Sequence, residues 1–550
     1  MLVAVALPQA RPAASPLIAI LTEELNRNFQ TLKTADPPAY FIAYAVTEQE
    51  AEGVSAIQGA LQQQTRNHQR VLDIQVRVGS YELDNYRQAQ GVRPPNAVAS
   101  LIPLDDSPAA IRKRLWLDMD RAYKAASQRL IQVKSSQQTQ TAAADSSNDF
   151  SKEQPSAASD LPPKLVFPAA EWAARLRKLS AIFSKYPSVL NSNVAVLVQR
   201  EVRTLVNSEG TQVEHGRLYA RISINARGKA ADGMDLTATR SFEAGDPARL
   251  PRDAEIEKAI VEVAEEVSRL VRADPADPFV GPAILSGRAA GVFFHEIFGH
   301  RIEGHRQKDE SEGQTFTRSV NSKVLPEFLT VRFDPTLKNA AGSDLFGWYQ
   351  FDDEGVKARP VTIVDQGILK TFLLSRSPIQ GFPQSNGHGR RQPGNDPVAR
   401  QSNLLVEASQ RVSEARLREL LKEEIRKQNK PYGLYFAEVT GGFTTTGRRG
   451  LQAFTVIPLA VYRVFPDDRA DELIRGVDIV GTPLASFAKI LAAADKLEVF
   501  NGFCGAESGQ VPVSAVSPAI LVSEIEIQRK AKSSDTPPVL PRPSATGGAI

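Results

Sequence analysis

Three of the chain's six histidines, His295, His300 and His305, fall within a single short run, FFHEIFGHRIEGHRQ (293–307). A catalytic divalent metal needs two neutral imidazoles approaching from one side, a third protein ligand, an open position for water, and a carboxylate that can take that water's proton. His295 and His300 offer the imidazoles and Glu296 the carboxylate. The spacing is i and i+5, whereas the usual zinc-protease helix places its histidines at i and i+4. On a regular helix five residues turn about 500°, leaving the two rings about 140° apart. The pair can share a metal only if the helix is distorted, and a π-bulge with i→i+5 bonding would bring the rings back to nearly one face. Gly299 lowers the cost of leaving regular helix. Val292, Phe293, Phe294, Ile297 and Phe298 bury the segment, and there two imidazoles and a carboxylate are costly unless paired or ligated. The motif alone leaves open the plainer reading of ordinary surface or satisfied core histidines.

The rest of the chain bounds what can surround that motif. Its 550 residues suggest about two to four domains. With 42% hydrophobic and 23% charged residues, collagenous, coiled-coil and wholly disordered classes are excluded. The net charge of +3, spread over the whole length, gives no electrostatic footprint for nucleic acid. No run approaches the ~20 apolar residues of a membrane span. Cys504 is the one cysteine, so no intrachain disulfide forms, and the fold suits a reducing, cytoplasmic compartment. Residues 1–16 carry the apolar stretch Leu2 to Leu7 without a positive region before it, and read as a disordered N-terminus. A clipped signal of an exported, periplasmic protein is the alternative.

Periodicity supplies the elements. Helices are expected at Leu17–Leu32, after Ser107–Pro108 (with Ile111, Leu115, Met119, Ala122, Ala126 and Leu130 on one face), and at Asp253–Val271. Strands are expected at Phe41–Val46, Val71–Val78, Val194–Val198, Leu218–Ile224 and Asp235–Arg240. Residues 17–275 thus form an amino-terminal α+β domain. Within it 134–164, rich in Ser, Gln, Ala and Pro, is expected to be a disordered, mobile insertion, and 530–550 a disordered tail. Residues 276–529 read as a β-rich carboxy-terminal domain, with a hairpin at Val361–Leu374, strands on either side of Thr440–Phe443, and a closing strand at Leu521–Ile527. Its helices are expected at Ser286–Gly299, Ser413–Lys427 and Pro483–Ala493.

The histidine segment resembles the HExxxH motif of the TldD/PmbA metalloproteases, the modulator-of-gyrase family. The resemblance extends to DDEGV (352–356), VDQGILK (364–370), GHGRR (387–391), TGGF (440–443) and NGFCGAESGQVPV (501–513), covers about Pro282 to Ile527, and is echoed at RVGSYEL (77–83). It implies a catalytic TldD-like member with a divalent metal on His295, His300 and Cys504, and Glu296 as general base. Gly502, Gly505 and Gly509 let the backbone fold tightly around Cys504, whose thiol a metal would deprotonate, although a lone cysteine can also be a small buried hydrophobe. Two imidazoles and a thiolate suit zinc best. The chain departs from the family pattern at His305 and His388, each open to reading as an extra ligand, a substrate contact or a solvated side chain. Glu303 is expected to orient a ligand histidine from behind, with His305 beside it, and Asp352, Asp353 and Glu354 to sit in a solvated loop.

Together these readings describe a metal-dependent, zinc peptidase acting on short or unfolded peptides. Arg390, Arg391, His388, Gly441 and Gly442 are candidate substrate contacts. The resemblance implies a homodimer, or a heterodimer with a related TldD/PmbA subunit. Two other readings stand beside this one: a non-catalytic regulatory subunit, which has no need of the intact motif and Cys504, and a metal-dependent hydrolase of a non-peptide amide.

Overall fold

The computed structural model describes residues 15–88, 98–139, 145–448, 454–481, 486–530, 536–538 and 540. Most of the region expected at 1–16, five residues of the expected insertion and most of the tail lie outside the described residues.

In the amino-terminal half, long hairpins carry the sheet. β1 (Ala39–Ile57) turns through Gln58 and Gly59, both at positive φ, into β2 (Ala60–Val78). The half of β2 from Gln63 to Arg70 has no apolar residue to bury, yet it pairs residue by residue with β1. With β3 (Val98–Leu101), β4 (Ala157–Asp160), β5 (Asn191–Asn207) and β6 (Gln212–Lys229) the sheet order is β3-β2-β1-β5-β6-β4, and β7 (Asp235–Ala244) also pairs with β6. Helices α1 (Pro16–Leu32) and α2 (Pro108–Thr139) close one core over β1 and β2, and the six α2 residues on the expected face are all buried there. Helices α3 (Ala169–Ser180) and α4 (Asp253–Arg272) close a second core over β5, β6 and β7.

The stretch expected to be a mobile insertion behaves differently. Residues up to Thr139 extend α2, and from 145 onward the chain packs. Phe150 is buried, its ring 4.8 Å from that of Phe41, with the guanidinium carbons of Arg77 and Arg376 at 3.7 and 4.0 Å from its centroid. β4 adds to the sheet beside β6 in parallel. The physical reason is that a segment poor in apolar residues is held here by one aromatic anchor, backbone pairing and charge rather than by a periodic apolar face. Phe150→Ala is therefore expected to destabilise the protein by about 3–5 kcal/mol, the usual cost of emptying a buried aromatic site. The measurement is the denaturant midpoint, and an unchanged midpoint would mean the segment is not anchored.

The carboxy-terminal half is dominated by a sheet of 12 described strands. Its centre is the strand Gly509–Arg529, which pairs with Asn403–Ala408, Val477–Gly481, Ile490–Ala506 and Phe279–Leu285. The expected hairpin forms as Val361–Asp365 and Ile368–Leu369 around Gln366 and Gly367. Two expectations fail. Thr440–Phe443 lies inside the strand Gly433–Thr444, whose partner resumes at Phe454. Ile490–Ala493 belongs to a strand rather than a helix, because its backbone pairs with Ile520–Val522. The whole is α+β with a β-rich carboxy-terminal region, and no helix among the described residues is long and apolar enough to cross a membrane.

Candidate metal centre and cleft

Helix α5 (Gly287–Ile297) begins at Ser286, whose hydroxyl accepts from the Ala289 N–H at 3.2 Å. It lies on the central strand at close range. A side-chain carbon at Gly287 would meet the Ser517 carbonyl at 2.5 Å, and one at Gly291 would meet Ala515 at 3.1 Å. Positions 287, 291 and 295 share one stripe of the helix. The two glycines thus bring the stripe down onto the sheet, and His295 reaches the hairpin of Ile490–Ala506 and Gly509–Arg529, where Cys504 sits opposite Val511.

The helix ends at Ile297 by a route other than a π-bulge. Phe298 still donates to the Phe294 carbonyl, as in an α-helix, and Gly299–Ile302 then tightens into a 3₁₀ turn in which Arg301 donates to the Phe298 carbonyl. The change of direction at Phe298 (φ −101°), not extra winding, brings the second imidazole back toward the first. The ring centroids of His295 and His300 lie 5.1 Å apart. Arg301, itself buried, holds the break: its Nη1 donates to the Glu296 and Ile297 carbonyls and to Thr444 Oγ1.

His295, His300 and Cys504 converge. Cys504 Sγ lies 3.2 Å from His295 Nε2 and 3.3 Å from His300 Nε2, and the three donor atoms lie within 4.8 Å of one another. Zinc bonds to nitrogen and thiolate sulfur at tetrahedral angles give an N···S edge of roughly 3.6 Å, so this donor set fits a zinc-sized cation with little adjustment. Burial by itself raises the Cys504 thiol, but His300 and His295 beside it hold it well below its usual range, as a thiolate ligand requires. His300 is pulled the other way: burial lowers it, and the Cys504 and Glu303 charges carry it well above. Glu303, fully buried, lies 3.2 Å from His300 Nδ1 and so leaves Nε2 facing Cys504. Its carboxyl is held at about 2 against the effect of burial by His300 and Arg306. His305 does not reach this cluster; its Nε2 pairs with Glu507, which Arg306 also binds at 2.8 Å.

Glu296 faces the same space, with its carboxylate 3.9 Å from His300 Nε2. Burial raises it above the ordinary carboxylate range, the histidines opposing and the Cys504 charge adding. These groups line a cleft of about 500 Å³ walled by Thr440–Thr444 on one side and Phe500–Glu507 on the other. Phe443 and Phe503 are exposed in those walls, and Arg221 reaches in from β6.

Of the candidate substrate contacts, the structure brings Gly441 and Gly442 to the cleft and leaves His388, Arg390 and Arg391 out of it. His388 is fully buried beneath Phe333 and Tyr349, 3.1 Å from Ser402 Oγ, and burial pushes its imidazole down to about 3. Arg390 stacks 4.7 Å over Tyr349 and donates to the Gln401 carbonyl, while Arg391 pairs with Asp73 at 2.6 Å. Chain neighbours that look solvent-ready in sequence serve here as buried joints. The DDEGV turn is likewise no solvated loop. Asp352 accepts from the Glu354, Val356 and Gly389 N–H groups, Asp353 from the Arg391 N–H, and Glu354 from the Arg376 N–H. Sequence reading missed Arg301, Arg306, Arg400 and Gln401 around the centre, because a buried arginine or glutamine carries no periodic signal.

Comparison with known proteins identifies the family of the chain. Residues 280–529 match the family model described as the PmbA/TldA metallopeptidase C-terminal domain, and residues 162–273 that of the PmbA/TldA metallopeptidase central domain. A metalloprotease of Archaeoglobus fulgidus is 30% identical over 334 residues, 60% of this chain and 72% of that protein. A protein of Saccharolobus solfataricus named zinc metalloprotease TldD homolog is 27% identical over 248 residues, 45% of this chain and 51% of that one. Among solved structures, TldE from Thermococcus kodakarensis superposes with a TM-score of 0.60 at 14% identity, covering 94% of this chain and all of that one, a likeness of fold.

Proposed function

The chain belongs to the TldD/PmbA metallopeptidase family, and we propose that it is a zinc-dependent peptidase that hydrolyses short or unfolded peptides at the cleft between Thr440–Thr444 and Phe500–Glu507. The observation that carries the reading is the convergence of two imidazoles and the one thiol of the chain beside a buried carboxylate. His295, His300 and Cys504 would hold the metal. When bound, such a metal supplies Lewis acidity toward the scissile carbonyl and makes water more acidic.

The remaining work falls to the chain's own groups. Glu296 accepts the proton of the attacking water as its oxygen adds to the carbonyl carbon, then passes that proton to the amide nitrogen as the C–N bond breaks. Its raised affinity for a proton suits both halves of that transfer. Glu303 keeps the His300 ring oriented, with His305 and Arg306 anchored to Glu507 behind it. Over Leu434–Phe436 the strand Gly433–Thr444 pairs on both sides, whereas its cleft-lining end pairs, among the described residues, only with Phe454–Pro458. An extended peptide adding to the strand edge at Gly441 and Gly442 is held mainly through its backbone, which gives low sequence selectivity. The subunit works as a homodimer or with a related TldD/PmbA partner, in the cytoplasm.

Gly442 has a further constraint. A side-chain carbon there would lie 2.7 Å from Glu296 Cγ and 2.8 Å from the Thr455 carbonyl. Gly442→Ala is expected to keep its metal and lose about 10²-fold in kcat, the scale of a displaced reacting group. Steady-state kinetics with metal analysis on one sample checks this, and an unchanged kcat would show that Glu296 has slack. The proposal as a whole is tested by metal analysis of purified protein alongside cleavage of a mixed peptide library. Full metal content with no peptide cleaved would redirect the site to another amide.

A further inference from the structure

We infer that the buried dipeptide Arg400–Gln401 is the positioning element that holds the three metal-binding side chains in register, an inference that rests on the proposed His295, His300 and Cys504 site. Both residues are fully buried, and neither belongs to the elements that supply the ligands. The Arg400 guanidinium grips the Cys504 hairpin from beneath. Its Nη2 donates to the Cys504 carbonyl at 2.6 Å, and its Nη1 to Ser508 Oγ at 2.7 Å and to the Gly509 carbonyl at 3.0 Å, so one fork spans both strands. Its Nε lies 3.5 Å from Glu303 Oε1, while the other oxygen of Glu303 meets His300 Nδ1. A single planar cation therefore ties the cysteine's backbone to the carboxylate behind the second histidine.

Gln401 serves the first histidine and the break between the two. Its Nε2 donates to the His295 carbonyl at 3.2 Å and lies 3.5 Å from His295 Nε2. The rest of its amide fills the place of a side chain at Gly299, where a Cβ would lie 2.0 Å from Gln401 Oε1 and 2.3 Å from Cδ. Gly299 is thus required for more than its backbone freedom: the wedge of Gln401 at that point accompanies the change of direction that turns His300 toward His295. Metal sites tolerate ligand distances within about ±0.2 Å, and the Cys504 hairpin lies about two hundred residues along the chain from helix α5 and the 3₁₀ turn that follows it. Something rigid must register them, and Arg400 and Gln401 touch all three.

The test uses the full chain with Arg400→Lys, Gln401→Ala and Gln401→Met. Lysine keeps the charge but has no fork to span the hairpin and Glu303. Methionine keeps the wedge and loses the donor to the His295 carbonyl. Zinc affinity is read by competition with a chromophoric chelator, and thermal unfolding is followed with and without zinc. The expected result is zinc binding weakened about 10- to 100-fold by Arg400→Lys and Gln401→Ala, less by Gln401→Met, with the zinc-induced rise in Tm shrinking in the same order. Wild-type zinc affinity in Gln401→Ala, or equal falls in Tm with and without zinc, overturns the inference even if Arg400→Lys does not fold. A wild-type chain that binds no stoichiometric zinc overturns the site itself, a failure visible before any substitution is made.

Discussion

Glu296→Gln is expected to keep one metal per chain and to lose peptide turnover by about 10²- to 10⁴-fold, the range for removing a general base. The amide keeps the size and shape of the side chain, so the packing against Gly442 and the 3.9 Å approach to His300 survive. What disappears is a group that can hold a proton. The carboxylate stands beside the three candidate donor atoms of His295, His300 and Cys504 rather than among them. The variant therefore separates holding the metal from using it. Metal content by elemental analysis and turnover on the best peptide from the library decide the matter. Activity at the wild-type level would remove Glu296 from the mechanism, and loss of metal would make it a ligand instead.

Cys504→Ser is expected to reduce metal content from about one per chain to a small fraction after dialysis against a weak chelator, with turnover falling in parallel. Sulfur is the one soft donor of the set, and as a thiolate it would meet the ion with a full negative charge, which neither neutral imidazole carries. A serine hydroxyl is shorter and stays protonated, so two imidazoles are left to hold the ion. The fold should persist, because Cys504 pairs through its backbone with Val511 and through its carbonyl with Arg400, neither of which needs the sulfur. Elemental analysis with circular dichroism on the same preparation checks both halves. Full occupancy in a folded variant would exclude the thiolate as a ligand.

Some of this molecule is legible because its physics is local. The α2 face from Ile111 to Leu130, the Gln366–Gly367 hairpin turn and the HExxxH segment each declare themselves within one short stretch of chain, through helical spacing, turn chemistry or a dense set of ligand-type side chains. The polar half of β2 does not, since Gln63 to Arg70 become a strand only by backbone pairing with β1. Nor does Phe150, a single aromatic residue in a polar run that finds Phe41, Arg77 and Arg376 across the chain.

From residue order alone it follows that two imidazoles and a carboxylate sit in an apolar segment whose i, i+5 spacing demands a departure from regular helix, and the wider motif resemblance points to Cys504 as the third donor. Which departure occurs is a tertiary matter. The wedge of Gln401 at Gly299 and the grip of Arg301 on the Glu296 and Ile297 carbonyls accompany an end to the helix and a 3₁₀ turn in place of a bulge. The same holds for the arginines. Arg390 and Arg391 have the composition of substrate contacts, yet the fold buries them against Tyr349 and Asp73, while Arg400 and Arg306 are drawn to the centre. A charged side chain is placed by its partners rather than by its own hydropathy, and a partner such as Asp73 for Arg391 lies far away along the chain, where only the folded chain brings the two together.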